Sequence, residues 1–337
     1  MRVAVIGAGS WGTVLGLVAG RAGHSVRLWS RDAALVYEIK RERVNRKYLA
    51  GHRLPETVQP TCDFDEALAG AELVLLVVPS HGMREVLASM QPRLEEGMIF
   101  ASATKGIETE TGKRISEILR ETLKNHFEPR FVCLSGPSFA KEVAEGQPTA
   151  VVAASRNLED ALAVQKALSF QNLRVYTNTD VVGTELGGAV KNVMAVAAGM
   201  VSGLGLGTNS VAALITRGLA EMARLALAQG GRMETLMGLA GLGDLVLTST
   251  GSLSRNRYVG QELGKGRALE DILSGMSEVA EGVKTTRAVH SLAVQLKVEM
   301  PITEEVHAVL YEGKSVREAA GALMTRPLRG EYDDFGF

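Results

Sequence analysis

The chain opens with a strand-like run that passes directly into a glycine-rich turn. Val3-Ala4-Val5-Ile6 is followed by Gly7-Ala8-Gly9-Ser10-Trp11-Gly12, and an apolar, helix-like stretch comes next. This order of strand, GxGxxG and helix is the fingerprint of a dinucleotide-binding unit. Gly7 permits the tight turn, Gly9 lets the backbone approach a pyrophosphate, and Gly12 lets the helix pack on the strand. Because glycine makes up 37 of the 337 residues, the position of the motif between strand and helix carries the prediction of nucleotide binding.

Apolar, β-branched runs alternate with helix-like segments through the first half of the chain. The runs are Ser25–Trp29, Leu73–Val78, Met98–Ala103, Phe131–Leu134, Thr149–Ala153 and Arg174–Tyr176. This alternation predicts an α/β domain with a doubly wound, mainly parallel sheet of the Rossmann type. The near-continuous apolarity of Leu73–Val78 is typical of a strand buried on both faces. We predict that the dinucleotide-binding domain covers residues 1–180.

Helical patterns replace the strand patterns after about residue 180. They cover Gly183–Met200, Ser210–Ala228, Ser254–Leu263, Leu269–Ser274, Thr285–Leu296, Thr303–Tyr311 and Ser315–Leu323. The periodicity predicts an all-helical substrate and catalytic domain over residues 181–325. We expect residues 326–337 to form a frayed tail.

The composition excludes several classes of partner. With a net charge of −1, neither nucleic acid nor an anionic membrane is expected, so any phosphate must be recognised locally. Cys62 and Cys133 lie far apart and form no CxxC motif, which predicts free thiols in a reducing cytoplasm. The six histidines lack the spacing of metal ligands, so no metal is expected.

Two apolar stretches do not indicate export or membrane insertion. The N-terminal stretch is broken by the glycine motif and lacks a polar cleavage region, so we expect no targeting segment. The small-residue stretch over 183–213 contains Glu185 and Lys191, and Gly203–Asn209 interrupts any helix of about 20 residues. We therefore predict a cytoplasmic protein without integral membrane association.

The end of the second strand bears on the choice of nucleotide. An acidic residue that holds a ribose 2′-OH is expected about 20 residues beyond the glycine motif. Here the strand ends in Leu28-Trp29-Ser30-Arg31, and no carboxylate follows until Asp32. Arg31 suits a 2′-phosphate, which favours NADP with NAD still accepted. The alternative is that Arg31 is a solvated turn residue and Asp32 makes the hydrogen bond.

Lys191 is the most informative ionisable residue of the second half. On a helix, its neighbours three and four residues away are Gly187, Gly188, Met194 and Ala195. Small and apolar neighbours predict burial, and burial lowers the pKa of an amine. A lysine of this kind can exchange protons near neutral pH. The alternative is a structural lysine paired with a distant carboxylate.

Two predicted strands of the first half end in polar turns. Lys105 follows the strand that begins at Met98, and the segment Leu134-Ser135-Gly136-Pro137-Ser138-Phe139-Ala140 follows another. In an open parallel sheet the carboxyl ends of the strands border the ligand crevice. Ser138 resembles a helix N-cap, so its simpler interpretation is a cap within a turn.

The second domain contributes a further carboxylate and a hydroxyl-rich segment. Asp244 follows Gly241-Leu242-Gly243, and either caps the next helix or takes part in chemistry. The segment Thr248–Leu253 is predicted to be a loop that leads into Ser254-Arg255-Asn256. Backbone donors, hydroxyl groups and a guanidinium at a helix start are the groups that bind a phosphate dianion.

Taken together, these segments resemble the bacterial-type NAD(P)-dependent sn-glycerol-3-phosphate dehydrogenases. The motifs, in order over residues 2–325, are GAGSWG at 7–12, NRKYL at 45–49, ATKG at 103–106, LSGPSFA at 134–140, ELGGAVKN at 185–192, GLGD at 241–244, SRN at 254–256 and VAEGV at 279–283. GPSFA and LGGAVKN are the specific ones, since the glycine fingerprint alone fits many dehydrogenases.

The resemblance implies reversible reduction of dihydroxyacetone phosphate to sn-glycerol 3-phosphate, a phospholipid precursor. It implies Lys191 as proton donor and acceptor, assisted by Lys105 and Asp244. The implied substrate positions are Lys105, Gly136, Ser138, Lys191, Asp244, Ser254, Arg255 and Asn256. The implied cofactor positions are Ser10, Trp11, Arg31, Tyr48, Lys105, Ala140, Arg255, Val279 and Glu281, beside Gly7, Gly9 and Gly12. The glycine-rich helical domain also suggests a homodimer.

Two alternatives remain beside this interpretation. One is another two-domain β-hydroxyacid or ketopantoate-type dehydrogenase, against which Ser254-Arg255-Asn256 and LGGAVKN argue. The other is a nucleotide-sensing protein without turnover. Lys105, Lys191 and Asp244 together argue against a sensor, because a sensor needs no proton relay.

Overall fold

The computed structural model describes residues 1–276 and 280–331. Contacts divide the chain into two compact units. Unit 1 comprises Met1–Lys105 and Arg114–Val181, and unit 2 comprises Gly106–Lys113 and the chain from Val182 onward. The short segment Gly106–Lys113 therefore belongs with the second half of the chain, although strands of unit 1 precede and follow it.

Unit 1 is built on a single sheet. Its strands are β1 (Arg2–Ile6), β2 (Ser25–Trp29), β3 (Val58–Thr61), β4 (Leu73–Leu76), β5 (Ile99–Ser102), β6 (Arg130–Ser135), β7 (Thr149–Ala154) and β8 (Leu173–Asn178). They lie in the order β3-β2-β1-β4-β5-β6-β7-β8. All neighbours are parallel except β6 and β7. The predicted Rossmann-type, mainly parallel sheet is confirmed.

Helices cover both faces of the sheet. They are α1 (Ser10–Arg21), α2 (Ala33–Glu42), α3 (Arg46–Leu49), α4 (Phe64–Leu68), α5 (Met83–Met90), α6 (Ile115–Leu123), α7 (Ala140–Ala144) and α8 (Leu158–Leu168). Alternate side chains of β1 point to opposite faces: Val3 and Val5 pack in one hydrophobic cluster, and Ala4 and Ile6 pack in the other. A strand buried on both faces explains its unbroken apolar sequence.

Unit 2 is helical in its described part, as predicted. Its helices are α9 (Val181–Gly203), α10 (Thr208–Ala228), α11 (Met233–Leu236), α12 (Asp244–Thr250), α13 (Arg255–Gly264), α14 (Leu269–Ser274), α15 (Glu281–Leu296), α16 (Pro301–Tyr311) and α17 (Val316–Met324), with a π-helical turn at Leu239–Gly243. The central helix α9 is buried along almost its whole length. Such all-round burial is typical of a core helix.

Among the described residues, α9 alone is by itself long and apolar enough to cross a membrane. It has 23 residues, longer than the predicted Gly183–Met200, and it continues to Gly203. The most apolar 18-residue window of α9 is 83% buried inside the structure. Packing in the protein core therefore explains its apolar composition. Two further segments, Met233–Thr250 and Arg255–Gly264, pass the same test only as one span bent by 49°.

Helices α9 and α13 touch through glycines spaced four residues apart on each. A Cβ at Gly199 would lie 2.1 Å from the carbonyl oxygen of Arg257, and one at Gly260 would lie 1.9 Å from that of Val196. Gly203 and the last residue of α13 repeat this close approach one turn further on. The backbones of α9 and α13 are therefore in direct contact.

Candidate active site

The glycine turn after β1 has the geometry of a pyrophosphate cradle. Gly7 has φ +119°, and a Cβ there would lie 2.5 Å from the carbonyl oxygen of Val77. A Cβ at Gly12 would lie 1.8 Å from the carbonyl oxygen of Gly7. At Gly9, by contrast, no protein atom lies within 4 Å of a Cβ. Protein packing thus explains two of the glycines, and the open space beside the third leaves room for a dinucleotide to approach the backbone.

The start of α1 faces the same turn. Gly9 precedes the helix without any side-chain cap, and Ser10 and Trp11 are its first two residues. Uncapped backbone N–H groups at a helix start suit an anion. Trp11, Tyr48 and Ala140, three of the predicted cofactor positions, are partly buried against one hydrophobic cluster of unit 1.

Asn45 connects the NRKYL segment to the glycine turn. Its Nδ2 donates to the carbonyl oxygen of Ala8 at 2.9 Å and to Thr13 Oγ1 at 2.8 Å. Its Oδ1 accepts the N–H of Tyr48 at the start of α3. Asn45 is fully buried. No role was predicted for Asn45, although asparagine is a preferred residue at the cap position before a helix.

Both carboxylate oxygens of Asp32 are engaged within the protein. Oδ1 caps α2 by accepting the N–H of Leu35 at 3.1 Å, and Oδ2 lies 3.3 Å from Lys47 Nζ. The backbone hydrogen bond from Leu35 and the interaction with Lys47 hold the pKa of Asp32 below its ordinary value. Arg31, immediately before it, is exposed.

The ends of β5 and β6 bring Lys105 and Gly136 together. Lys105 Nζ donates to the carbonyl oxygen of Gly136 at 2.8 Å. Gly136 has φ +128°, and a Cβ there would lie 3.0 Å from Val151 Cα, so a side chain would be strained and crowded. Thr104 Oγ1 donates to the carbonyl oxygen of Val78 at 2.7 Å, which ties the end of β5 to the residues after β4.

The cap interpretation of Ser138 is wrong. Helix α7 begins at Ala140 after Phe139 and has no side-chain cap. Ser138 instead donates its hydroxyl to the carbonyl oxygen of Gly136 at 3.2 Å. The hydroxyl lies one residue too early to cap the helix, because the turn after Gly136 delays the helix start.

In unit 2, Lys191 and Asp244 form a buried ion pair. Lys191 Nζ lies 3.1 Å from Asp244 Oδ1, and the two side chains are 8% and 1% exposed. Lys191 also donates to Thr248 Oγ1 at 2.7 Å, and the Thr248 hydroxyl lies 3.3 Å from Asp244 Oδ1. The predicted burial of Lys191 is confirmed. The nearby carboxylate favours the ammonium form, and a pairing of Lys191 with a carboxylate distant in the chain is the alternative that the sequence left open.

A π-helical turn sets the position of Asp244. The turn, Leu239–Gly243, runs directly into α12, of which Asp244 is the first residue. Asp244 does not occupy the cap position, one of the two interpretations offered by the sequence, because Gly243 precedes it there. A Cβ at Gly187, one turn before Lys191, would lie 2.7 Å from the carbonyl oxygen of Ala240. This contact brings α9 against the π-helical turn.

Half of the predicted loop Thr248–Leu253 is helix. Thr248 and the two residues after it form the last turn of α12. Asp244 and Thr248 therefore lie one turn apart on one face of this helix. The connection to α13 is only Gly251–Leu253. Thr248 was thus assigned to the phosphate loop, whereas its hydroxyl contacts Lys191. The four-residue spacing between Asp244 and Thr248 is the sequence signal for this pairing.

The SRN segment forms the start of α13. Ser254 caps the helix by accepting the N–H of Arg257 at 3.2 Å. Arg255 is the first helical residue and is exposed, whereas Asn256 is buried. Asn256 Nδ2 donates to Asn192 Oδ1 at 2.9 Å, and its Oδ1 accepts the N–H of Gly282 at 2.9 Å.

One further predicted cofactor position lies at the start of α15. Glu281 is the first residue of this helix and is partly buried. Val279 lies outside the described residues. Among the described residues, no group of three or more His, Cys, Asp or Glu side chains is arranged to hold a metal ion.

The predicted site residues thus form one group in each unit. Unit 1 places the glycine turn at the end of β1 and Lys105, Gly136 and Ser138 at the ends of β5 and β6. Because these strands are parallel, all lie along the carboxyl edge of the sheet, where ligands bind. Unit 2 brings Lys191 to Asp244, and Asn256 to the start of α15.

Comparison with known proteins identifies the family over most of the chain. The family described as NAD-dependent glycerol-3-phosphate dehydrogenase N-terminus matches residues 2–161, and its C-terminus counterpart matches residues 180–321. A Koribacter versatilis protein named glycerol-3-phosphate dehydrogenase [NAD(P)+] is 56% identical over 328 residues, which is 97% of each chain.

Solved structures agree with this assignment. A glycerol-3-phosphate dehydrogenase from Coxiella burnetii superposes with a TM-score of 0.92 at 42% identity, covering 96% of this chain and 99% of that chain. A ketopantoate reductase from Ralstonia eutropha has a TM-score of 0.60 at 18% identity, covering 95% of this chain and all of that chain. At that identity the ketopantoate reductase shows a shared fold only. The family inferred from the motifs is confirmed: this chain belongs to the NAD-dependent glycerol-3-phosphate dehydrogenases.

Proposed function

We propose that this chain reversibly reduces dihydroxyacetone phosphate to sn-glycerol 3-phosphate with NADPH or NADH, and that Lys191 exchanges the proton. The observation that carries this proposal is the buried contact of Lys191 with Asp244 and Thr248. Reduction of a ketone requires a hydride and a proton. The cofactor supplies the hydride, and a buried ammonium within a helical core supplies the proton at the ketone oxygen.

Asp244 and Thr248 hold the Lys191 amine in one orientation. The Thr248 hydroxyl accepts from Nζ and lies within reach of Asp244 Oδ1. A carboxylate beside the amine keeps it charged until the ketone oxygen gains electron density. The contacts with Asp244 and Thr248 therefore fix the position of Nζ, from which the ammonium donates its proton.

Arg255 and the start of α13 are proposed to bind the substrate phosphate. The guanidinium is exposed, and Ser254 already satisfies the N–H of Arg257. The N–H groups of the first turn and the helix dipole favour a dianion. Binding energy at the phosphate, remote from the ketone, helps to position the reacting carbon. Lys105, held by the carbonyl oxygen of Gly136, adds positive charge near the ketone oxygen.

We propose that NADPH is preferred over NADH. The exposed Arg31 suits a 2′-phosphate, and Asp32 is occupied by Leu35 and Lys47. Comparing kcat/KM for the two cofactors tests this. Arg31→Ala should reduce the preference for NADPH at least tenfold, and a wild-type enzyme that prefers NADH would contradict the proposal.

A homodimer in the cytoplasm is proposed for the working state. Met237, Leu242 and Val246 expose 64%, 38% and 41% of their surface on the helical unit, and exposed apolar groups of this kind favour self-association. Both cysteines are free thiols, which suits a reducing compartment. Light scattering during gel filtration should give twice the monomer mass of 35.9 kDa.

The decisive test follows the absorbance of NADPH with dihydroxyacetone phosphate. Rapid, substrate-dependent loss of absorbance is expected, with production of glycerol 3-phosphate in equal amount. Ketopantoate serves as the control substrate and should give no turnover. Tight NADPH binding without turnover of either substrate would indicate a sensor instead.

A further inference from the structure

Three helices of unit 2 are joined by a short series of buried amide hydrogen bonds. Asn256 on α13 donates to Asn192 on α9 and accepts from the backbone of Gly282 on α15, both at 2.9 Å. Asn192 and Asn256 are 3% and 9% exposed. Buried amides depend on their protein partners, because water does not replace a lost hydrogen bond there.

The orientation of both side chains is fixed by the backbone of α15. The N–H of Gly282 can only donate, so Asn256 must direct its oxygen towards α15. Its NH₂ group must then face α9, and Asn192 must present its oxygen in return. A rotation of Asn256 would therefore break the bonds to both helices at once.

Gly282 leaves no room for another arrangement. A Cβ there would lie 2.7 Å from the carbonyl oxygen of Asn192 and 2.9 Å from Asn256 Oδ1. The start of α15 is thus in backbone contact with α9. A displacement of one helix start must be accommodated by the others, since packed interiors deform little.

The amide network consists of Asn192, Asn256 and Gly282. Each of these residues directly follows a predicted site residue in the chain. Asn192 follows the proton-donating Lys191. Asn256 follows Arg255, and Gly282 follows Glu281. The three positions at which proton donor, phosphate and cofactor are expected are therefore linked through one amide side chain.

We propose that Asn256 is a positioning residue that couples cofactor binding at α15 to substrate binding at α13 and α9. Each ligand then raises the affinity for the other, because the first to bind fixes the helix starts that the second requires. This inference rests on the proposed function for the identity of the two ligands. It assigns Asn256 a role that is separate from direct contact with the phosphate.

The test uses NADPH with glycerol 3-phosphate, a pair that cannot react because both are reduced. NADPH fluorescence gives its Kd with and without saturating glycerol 3-phosphate, and the ratio is the coupling factor. We expect a factor of about five or more for the wild type, falling to within about twofold of unity in Asn256→Ala and Asn192→Ala. Asn192→Asp, which keeps the acceptor oxygen, should restore much of the coupling.

Asn209→Ala serves as the matched control. Asn209 is an exposed asparagine on α10 of the same unit, so its replacement should leave the coupling factor unchanged. A wild-type factor of one, or an equal factor in wild type, Asn256→Ala and Asn192→Ala, would overturn the proposal. Failure of the wild type to bind NADPH or to reduce dihydroxyacetone phosphate would instead overturn the proposed function.

A second measurement does not depend on the variants being stable. In the wild type, hydrogen exchange of the Gly282 amide should slow on addition of saturating glycerol 3-phosphate alone, because binding at α13 holds Asn256 in place. Unchanged exchange at Gly282, with glycerol 3-phosphate shown to be bound, would count against the network.

Discussion

Lys191 and Asp244 are 3.1 Å apart at their charged atoms, and both side chains are almost fully withdrawn from solvent. An ammonium and a carboxylate held in this way are expensive to separate, because either charge alone is poorly solvated. The stability of unit 2 therefore depends on the residue that we propose as the proton donor.

Replacing Lys191 with alanine should lower kcat about 100-fold or more, because the proton donor is lost. The variant should also be less stable, since Asp244 loses its ion pair. Steady-state rates with NADPH and dihydroxyacetone phosphate measure the first effect, and urea unfolding measures the second. Lys166→Ala, an exposed lysine, is the control. Near-normal turnover in folded Lys191→Ala would refute the role of the amine.

Thr248→Val should reduce kcat by roughly tenfold or more, within the range of a lost buried hydrogen bond to a charged group. The valine keeps the shape but removes the acceptor for Lys191 Nζ.

Asp244→Asn should have a larger effect on kcat than Thr248→Val. It should also move the alkaline loss of reductase activity to lower pH, since the amine loses its stabilising charge. pH–rate profiles test both, and an unchanged alkaline limb in Asp244→Asn would contradict the ion-pair role.

Gly187→Ala should lower kcat without changing the affinity for NADPH. The new Cβ would lie 2.7 Å from the carbonyl oxygen of Ala240 and must displace the π-helical turn that leads to Asp244. Gly321→Ala is the matched control, because it lies within α17 and no atom is within 4 Å of a Cβ there. The control should be more stable by up to about 1 kcal/mol. Equal kcat in both variants would show that the close contact is not required.

Glu221 should make folding stability depend on pH. This buried carboxylate accepts the N–H groups of Ile302 and Thr303 at the start of α16. Burial is the larger effect and raises its pKa from 4.5 to about 7. Because the folded-state pKa is raised, the contribution of Glu221 is fully present below pH 4.5 and is lost as the pH rises through 7.

Ionisation of Glu221 in the folded state thus removes about 3 kcal/mol from the free energy of unfolding, at about 1.4 kcal/mol per pKa unit. Glu221→Gln keeps an acceptor for α16 and cannot ionise, so its unfolding free energy should fall less between pH 5 and pH 8. Urea unfolding at several pH values measures the difference from wild type. Parallel pH dependence of the two proteins would show that Glu221 does not titrate in this range.

Arg255→Ala should raise KM for dihydroxyacetone phosphate at least tenfold, as expected for loss of a charge-assisted contact. Dihydroxyacetone, which lacks the phosphate, distinguishes a loss of phosphate binding from a general loss of folded enzyme. Wild type and variant should use dihydroxyacetone equally poorly, because neither has a phosphate to hold. An unchanged KM for the phosphorylated substrate would place phosphate recognition elsewhere.

The fold followed from the sequence because its patterns are strong and local. Continuous apolar strands and amphipathic helices follow one another in an order that leaves little choice of architecture. Strand β3 was missed, since Val58–Thr61 is short and contains Pro60. Proline is tolerated there because β3 lies at the edge of the sheet. The grouping of Gly106–Lys113 with unit 2 depends on distant contacts and has no local pattern.

The site was only partly accessible from the sequence. Burial of Lys191 followed from its helical neighbours, but its contact with Thr248 required knowing that α12 continues past Asp244. Ser138 resembled a helix cap, and a cap was one of two interpretations of Asp244, because small polar residues before helices are usually caps. The actual helix starts, shifted by a turn and a π-helical segment, are set by tertiary packing.

Backbone contact between α9 and α13 has a consequence for which substrates fit. Gly199 and Gly260 place peptide groups against each other, so no change of side-chain rotamer can alter the separation of the two helices. The separation of the backbone at Lys191 on α9 from the backbone at Arg255, the first residue of α13, is therefore fixed. Under the proposed function, a substrate whose carbonyl and anionic group match this separation contacts both residues, and we expect substrates with a longer or shorter carbon chain to lose one of the two contacts.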